Sequence, residues 1–168
     1  MPYVRARMQP VSKEHARERA AANRVALAPG AASPAVRFTR AFDWFRSAAV
    51  YAGRRSYRTL SIGEAAHARR GQIAADAARM LQEHADQMDA VVPAAQRRGR
   101  RAELRQAYGH AVTDAARMEA ARQWFLFMAA QARRGTGEVA ARVTAIQDRA
   151  AGRLIEWAEE MDADDYGE

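Results

Sequence analysis

Residues 139–161 read VAARVTAIQDRAAGRLIEWAEEM. Val139, Val143, Ile146, Ala150, Leu154, Trp157 and Met161 recur in it at the three- and four-residue spacing of one helix face. Gly135-Thr136-Gly137 comes just before, with Thr136 placed as an N-cap. No segment of the chain alternates with the period of two that a half-buried strand needs. The fold class is therefore all-α.

Working back toward the N-terminus, Leu104, Tyr108, Ala111, Ala115, Met118 and Phe125 predict one long helix from about residue 100 to residue 132. Before it, Ser61-Ile62-Gly63-Glu64 has the form of a capping box. It opens the stripe Ile62, Ala66, Ile73, Ala77, Met80, His84, Met88 and Val91, which ends before Pro93. Gly71 lies inside this helix as a point of kinking or division. Phe38, Ala41, Phe42, Phe45, Ala48, Ala49 and Ala52 predict a helix over residues 35–52, with Gly53 as its stop. Short connections at Pro93 and Gly135 favour antiparallel neighbours. The expected architecture is an up-down antiparallel helical bundle of three to four long helices over residues 35–161. A basic, partly extended N-terminal arm and linker precede it over residues 1–34, and an acidic tail ends the chain over residues 162–168. Within the arm, Ser12 caps a short polar helix reaching about residue 27, whose lack of an apolar face makes it marginal alone.

A chain of 168 residues is long enough for one proper core, and its 49% hydrophobic content is that of a globular protein. There is no cysteine, which excludes disulfides, thiolate metal sites and a thiol nucleophile. The run Trp124-Phe125-Leu126-Phe127-Met128-Ala129-Ala130 is far shorter than the ~18 residues of a membrane span. The first residues are basic and lack a hydrophobic signal core, so a cytoplasmic protein with no membrane partner is expected. The net charge is +7, and all but one of the 27 basic residues are arginine. Residues 1–70 carry 14 basic and 4 acidic groups, whereas residues 155–168 carry 7 acidic groups and no basic one. That asymmetry concerns partners rather than fold.

The motifs of catalysis and cofactor binding give little. Glu64-Ala65-Ala66-His67 has the Glu-x-x-His spacing of di-metal bundles, but such sites need a second copy and two further carboxylates, which the chain lacks. Gly135-Thr136-Gly137-Glu138-Val139-Ala140 matches a dinucleotide fingerprint only in letters, because a helix and not a strand precedes it. No nucleophile–base pair is recognisable by spacing. A non-enzymatic protein with no catalytic, metal or cofactor residues is expected. Leu60-Ser61-Ile62-Gly63-Glu64-Ala65-Ala66 resembles the first helix of the winged-helix domain in MerR-like and excisionase-like proteins. Those families expect a turn glycine four residues after the position of Ala66, and Gly71 is five away. The segment beyond it, Ile73-Ala74-Ala75-Asp76-Ala77-Ala78-Arg79-Met80-Leu81, continues as a bundle helix, so one capped amphipathic helix is the reading.

Two cationic features remain. Over residues 37–58, aromatics interleave with arginines, and Arg40, Trp44 and Tyr51 fall together about 120° from the Phe38–Phe42–Phe45 stripe. Together with Tyr57 this face suits docking of another subunit or stacking on bases, unless another helix covers it. The second feature is Gln96-Arg97-Arg98-Gly99-Arg100-Arg101. Leu104 and Tyr108 point into the arc these arginines would occupy on a helix, and buried arginines need partners, so the cluster belongs at an exposed end. A hairpin about Gly135 would bring the acidic C-terminus near Arg105 and Arg101. The leading expectation is non-specific nucleic-acid binding through phosphate contacts. Its residues are Arg5, Arg7, Lys13, Arg17 and Arg19 of the arm, Arg54, Arg55 and Arg58, and Arg97, Arg98, Arg100 and Arg101. The alternative is a structural or adaptor protein that assembles as an oligomer, a phage-like particle or a mobile-element complex through the arm, Arg40, Trp44, Tyr51 and Tyr57.

Overall fold

The computed structural model describes residues 13–59, 64–93, 100–132 and 137–165. Among the described residues the chain forms six helices and no strand: α1 (Lys13–Ala26), α2 (Pro34–Thr59), α3 (Glu64–Val91), α4 (Arg101–His110), α5 (Asp114–Ala132) and α6 (Gly137–Asp165). The all-α class holds; the expected three to four long helices are replaced by six. Ser61, Thr136 and the Arg97–Arg98 pair lie outside the described residues.

Three differences from the sequence reading have local causes. The helix predicted over residues 35–52 does not stop at Gly53 but runs to Thr59. A glycine stops a helix only where the next turn must leave it, and costs only about 1 kcal/mol inside one. Gly71 likewise sits inside α3 without dividing it. The helix predicted over residues 100–132 is broken in two at Ala111, which is extended at φ −71 and ψ 136. Thr113 then restarts it: its Oγ1 accepts from Ala116 N at 3.1 Å and its carbonyl from Arg117 N at 2.9 Å. The break lets α4 fold back against α5 and changes the buried phase. Ala115 is exposed, while Met118, Ala121, Trp124, Phe125 and Met128 are buried.

The connection between α1 and α2 shows why α1 is held. Ala31 N donates to Ala28 O at 3.0 Å across Pro29-Gly30, and Gly30 has φ 84. Proline followed by a left-handed glycine is the requirement of a type II turn. Ser33 then caps α2, its Oγ accepting from Val36 N at 3.3 Å, with Pro34 in the first helical position.

The chain divides into two compact units, one formed by Met1–Gln72 with Ala151–Glu168 and the other by Ile73–Ala150. In the first, Phe38, Phe42 and Phe45 of α2 are buried with ring centroids 6.3 and 6.4 Å apart, and Phe45 meets Trp157 of α6 at 6.2 Å. In the second, Trp124, Phe125 and Met128 of α5 are buried, as are Ile73, Leu81 and Met88 of α3 and Val143 and Ile146 of α6. No helix among the described residues is long and apolar enough to cross a membrane.

Candidate functional site

Charge is sorted by helix. α2 holds six arginines against the single Asp43, and its first turn has no acidic residue. α6 holds eight carboxylates against three arginines, and α3 five against three. What those carboxylates hold decides which arginines remain for a ligand.

In the first unit, the end of α6 is committed to α1 and α3. Asp162, 3% exposed, accepts from Arg19 Nη2 at 3.0 Å and from Trp44 Nε1 at 3.0 Å. Burial pushes the Asp162 carboxyl above the usual carboxylate range, with Arg19 and the Trp44 hydrogen bond pulling the other way. Glu159 accepts from Arg24 at 2.6 Å, and Glu160 from Arg69 at 3.3 Å. Arg70 donates to the Met161 carbonyl at 3.2 Å, and Arg37 to the Leu27 carbonyl at 2.7 Å. Arg153 lies 4.2 Å from the centroid of Trp157 and donates to Glu156 at 2.7 Å.

In the second unit, the end of α3 does the same for α4 and α5. Both Asp89 oxygens accept from Arg101, through Nε and Nη2. Asp86 accepts from Trp124 Nε1 at 3.1 Å and lies 3.6 Å from Arg105 Nε. Arg100 donates to Glu103 at 2.9 Å, and that hydrogen bond is the main cause holding the Glu103 carboxyl below its ordinary value. His84 is held below the usual imidazole value, first by burial and then by Arg149.

These contacts redistribute the sequence candidates. Arg19, expected to reach nucleic acid, is 3% exposed and bound to Asp162. Trp44, expected on a docking face, is fully buried; the indole N–H found an acceptor on α6, which covers this side of α2. Arg101 is chelated by Asp89 and Arg100 is paired with Glu103. Among the described residues the anions beside Arg101 and Arg105 are Asp89 and Asp86 of α3, while Glu159, Glu160 and Asp162 are engaged within the first unit. Arg17 and Arg40 are exposed. Arg5, Arg7, Arg97 and Arg98 lie outside the described residues, as do the side chains of Lys13, Tyr51, Arg54, Arg55, Tyr57 and Arg58 within their helices.

One residue escaped the sequence reading as a site. Arg46 is exposed, its guanidinium 5.9 Å from the Phe42 ring centroid, and it forms no ion pair with a described residue. A helical wheel would have found it, since position 46 falls on the polar side of the phenylalanine stripe. Comparison with protein-family models, curated proteins and solved structures finds no match to this chain.

Proposed function

We propose that this protein binds nucleic acid through phosphate contacts made by the outer face of α2, assisted by the basic residues of the N-terminal arm. The observation that supports this reading most is the charge of α2, six arginines to one aspartate. At about 100° per residue, positions 40, 46, 54 and 58 occupy an arc of about 120° on α2 that begins beside Phe42 and lies away from buried Ala41 and Ala48. α2 has 26 residues, so at ~1.5 Å per residue those positions extend along about 27 Å of helix. That length spans several phosphates of one strand. Position 55 falls in register with buried Arg37 instead. Nothing in this arrangement reads base edges, so the binding is non-specific.

Apolar docking has less support. Among the described residues the exposed large hydrophobics are Val25, Val36 and Val112, each on a different stretch of chain. The Trp44 component of the proposed assembly face is buried.

Reversing charge on α2 tests the proposal. Arg40→Glu with Arg46→Glu is compared with Arg79→Glu with Arg142→Glu, exposed residues of α3 and α6, so both variants lose the same net charge. The α2 variant is expected to weaken binding of a random-sequence duplex by roughly tenfold or more and to reduce the salt slope by about two. Equal effects from the two variants would mean that net charge and not the α2 face carries binding.

A further inference from the structure

The two acidic helix ends that hold the arginines are written in almost the same letters. Residues 81–90 read LQEHADQMDA and residues 154–163 read LIEWAEEMDA, alike at Leu, Glu, Ala, Met, Asp and Ala. Continuing that alignment backward without a gap places Ile73 on Ile146 and Arg69 on Arg142, and α3 begins where α6 begins. The helices before them also match: Ser33, Arg37, Ala41, Trp44 and Phe45 have the spacing of Thr113, Arg117, Ala121, Trp124 and Phe125.

An alanine-rich chain produces chance identities, so the contacts matter more than the letters. Ser33 and Thr113 are both N-caps, each accepting from the backbone N–H three residues on. Leu81 and Leu154 are both fully buried, Met88 and Met161 are both fully buried, and Asp89 and Asp162 are 5% and 3% exposed. A buried aspartate needs a donor. Asp162, from the third helix of the second half, takes Arg19 from α1; Asp89, from the third helix of the first half, takes Arg101 from α4. One turn earlier, Glu159 takes Arg24 and Asp86 takes Arg105. Trp44 donates to Asp162 and Trp124 to Asp86, acceptors one helical turn apart in the alignment.

We propose that this chain is a tandem duplication of one three-helix repeat, α1–α3 and α4–α6. The acidic end of each third helix is a docking segment whose receptor is the first two helices of the other repeat. The division of the chain into units agrees with the exchange. The first unit contains α1, α2, the start of α3 and the end of α6; the second contains α4, α5, the start of α6 and the rest of α3. The partner each receptor fits is thus a second copy of the same repeat, here supplied within one chain. The shared residues are the fold's requirements: cap, indole donor, phenylalanine, buried leucine and methionine, and the carboxylate that accepts the incoming arginine.

If the segments are versions of one docking element, they are interchangeable in the full-length chain and a scramble is not. Two chimeras serve, one with LQEHADQMDA at residues 154–163 and one with LIEWAEEMDA at residues 81–90. The control carries the ten residues of 154–163 in scrambled order. Thermal unfolding followed by circular dichroism is expected to show, for at least one chimera, a single cooperative transition within about 10 °C of the parent. The scramble is expected to lose that transition. Both chimeras melting as the scramble does would overturn the proposal, as would a scramble that melts like the parent.

Discussion

Asp162 is the buried carboxylate at which three helices of the first unit meet. It is buried, and it joins α6 to both α1 and α2 through Arg19 and Trp44. Removing one partner of a buried ion pair leaves the other charge uncompensated, which is strongly destabilising. Asp162→Ala is therefore expected to lower the unfolding free energy by about 3–5 kcal/mol, measured by guanidinium titration. A loss below ~1 kcal/mol would show that Arg19 finds water or another acceptor. None of this was legible in the sequence. Arg19 reads there as one more arm cation, and Trp44 as a surplus aromatic. Their acceptor lies more than a hundred residues away, and helical periodicity carries no information on pairing at that separation. Burial of Leu154 and Met161, by contrast, came directly from spacing.

At the scale of elements, α-helical class and the courses of α3 and α6 were legible because their apolar stripes are long. The break at residues 111–113 was not, because Ala111 and Ala115 satisfy a continuing stripe and alanine discriminates poorly between buried and exposed faces. Thr113 was the available signal, as Ser33 was for α2. Both caps accept a backbone N–H, and such caps contribute ~1 kcal/mol each. Ser33→Ala and Thr113→Ala are accordingly expected to cost about 1 kcal/mol apiece in chemical denaturation. A cost several times larger at Thr113 alone would mean that the cap also fixes the fold-back of α4 on α5. The extension of α2 to Thr59 matters most for the proposed phosphate-binding face, since it sets positions 54 and 58 in line with Arg40.

For the molecule as a whole, the charge gradient seen in the sequence becomes a division of labour. The acidic ends of α3 and α6 neutralise α1 and α4, and α2 keeps its excess of arginine. This also revises the place of the C-terminus: Asp162, expected at the start of the acidic tail, is a core residue of the first unit, as is Met161. The repeat alignment sharpens the functional reading. Where α2 has Arg40 and Arg46, the matching positions of α5 are Ala120 and Leu126. The residues common to both repeats, Arg37 and Arg117 among them, build the fold, whereas Arg40 and Arg46 have no cationic counterpart in the second repeat, so one binding face per chain is expected. The most direct test of that face is the affinity of the full-length protein for a short random-sequence duplex across a salt titration. Four phosphate contacts from α2 predict that log K falls linearly with log salt with a slope of about −3 to −4, steeper where the arm contributes. A slope near zero, or no binding even at low salt, would contradict the account.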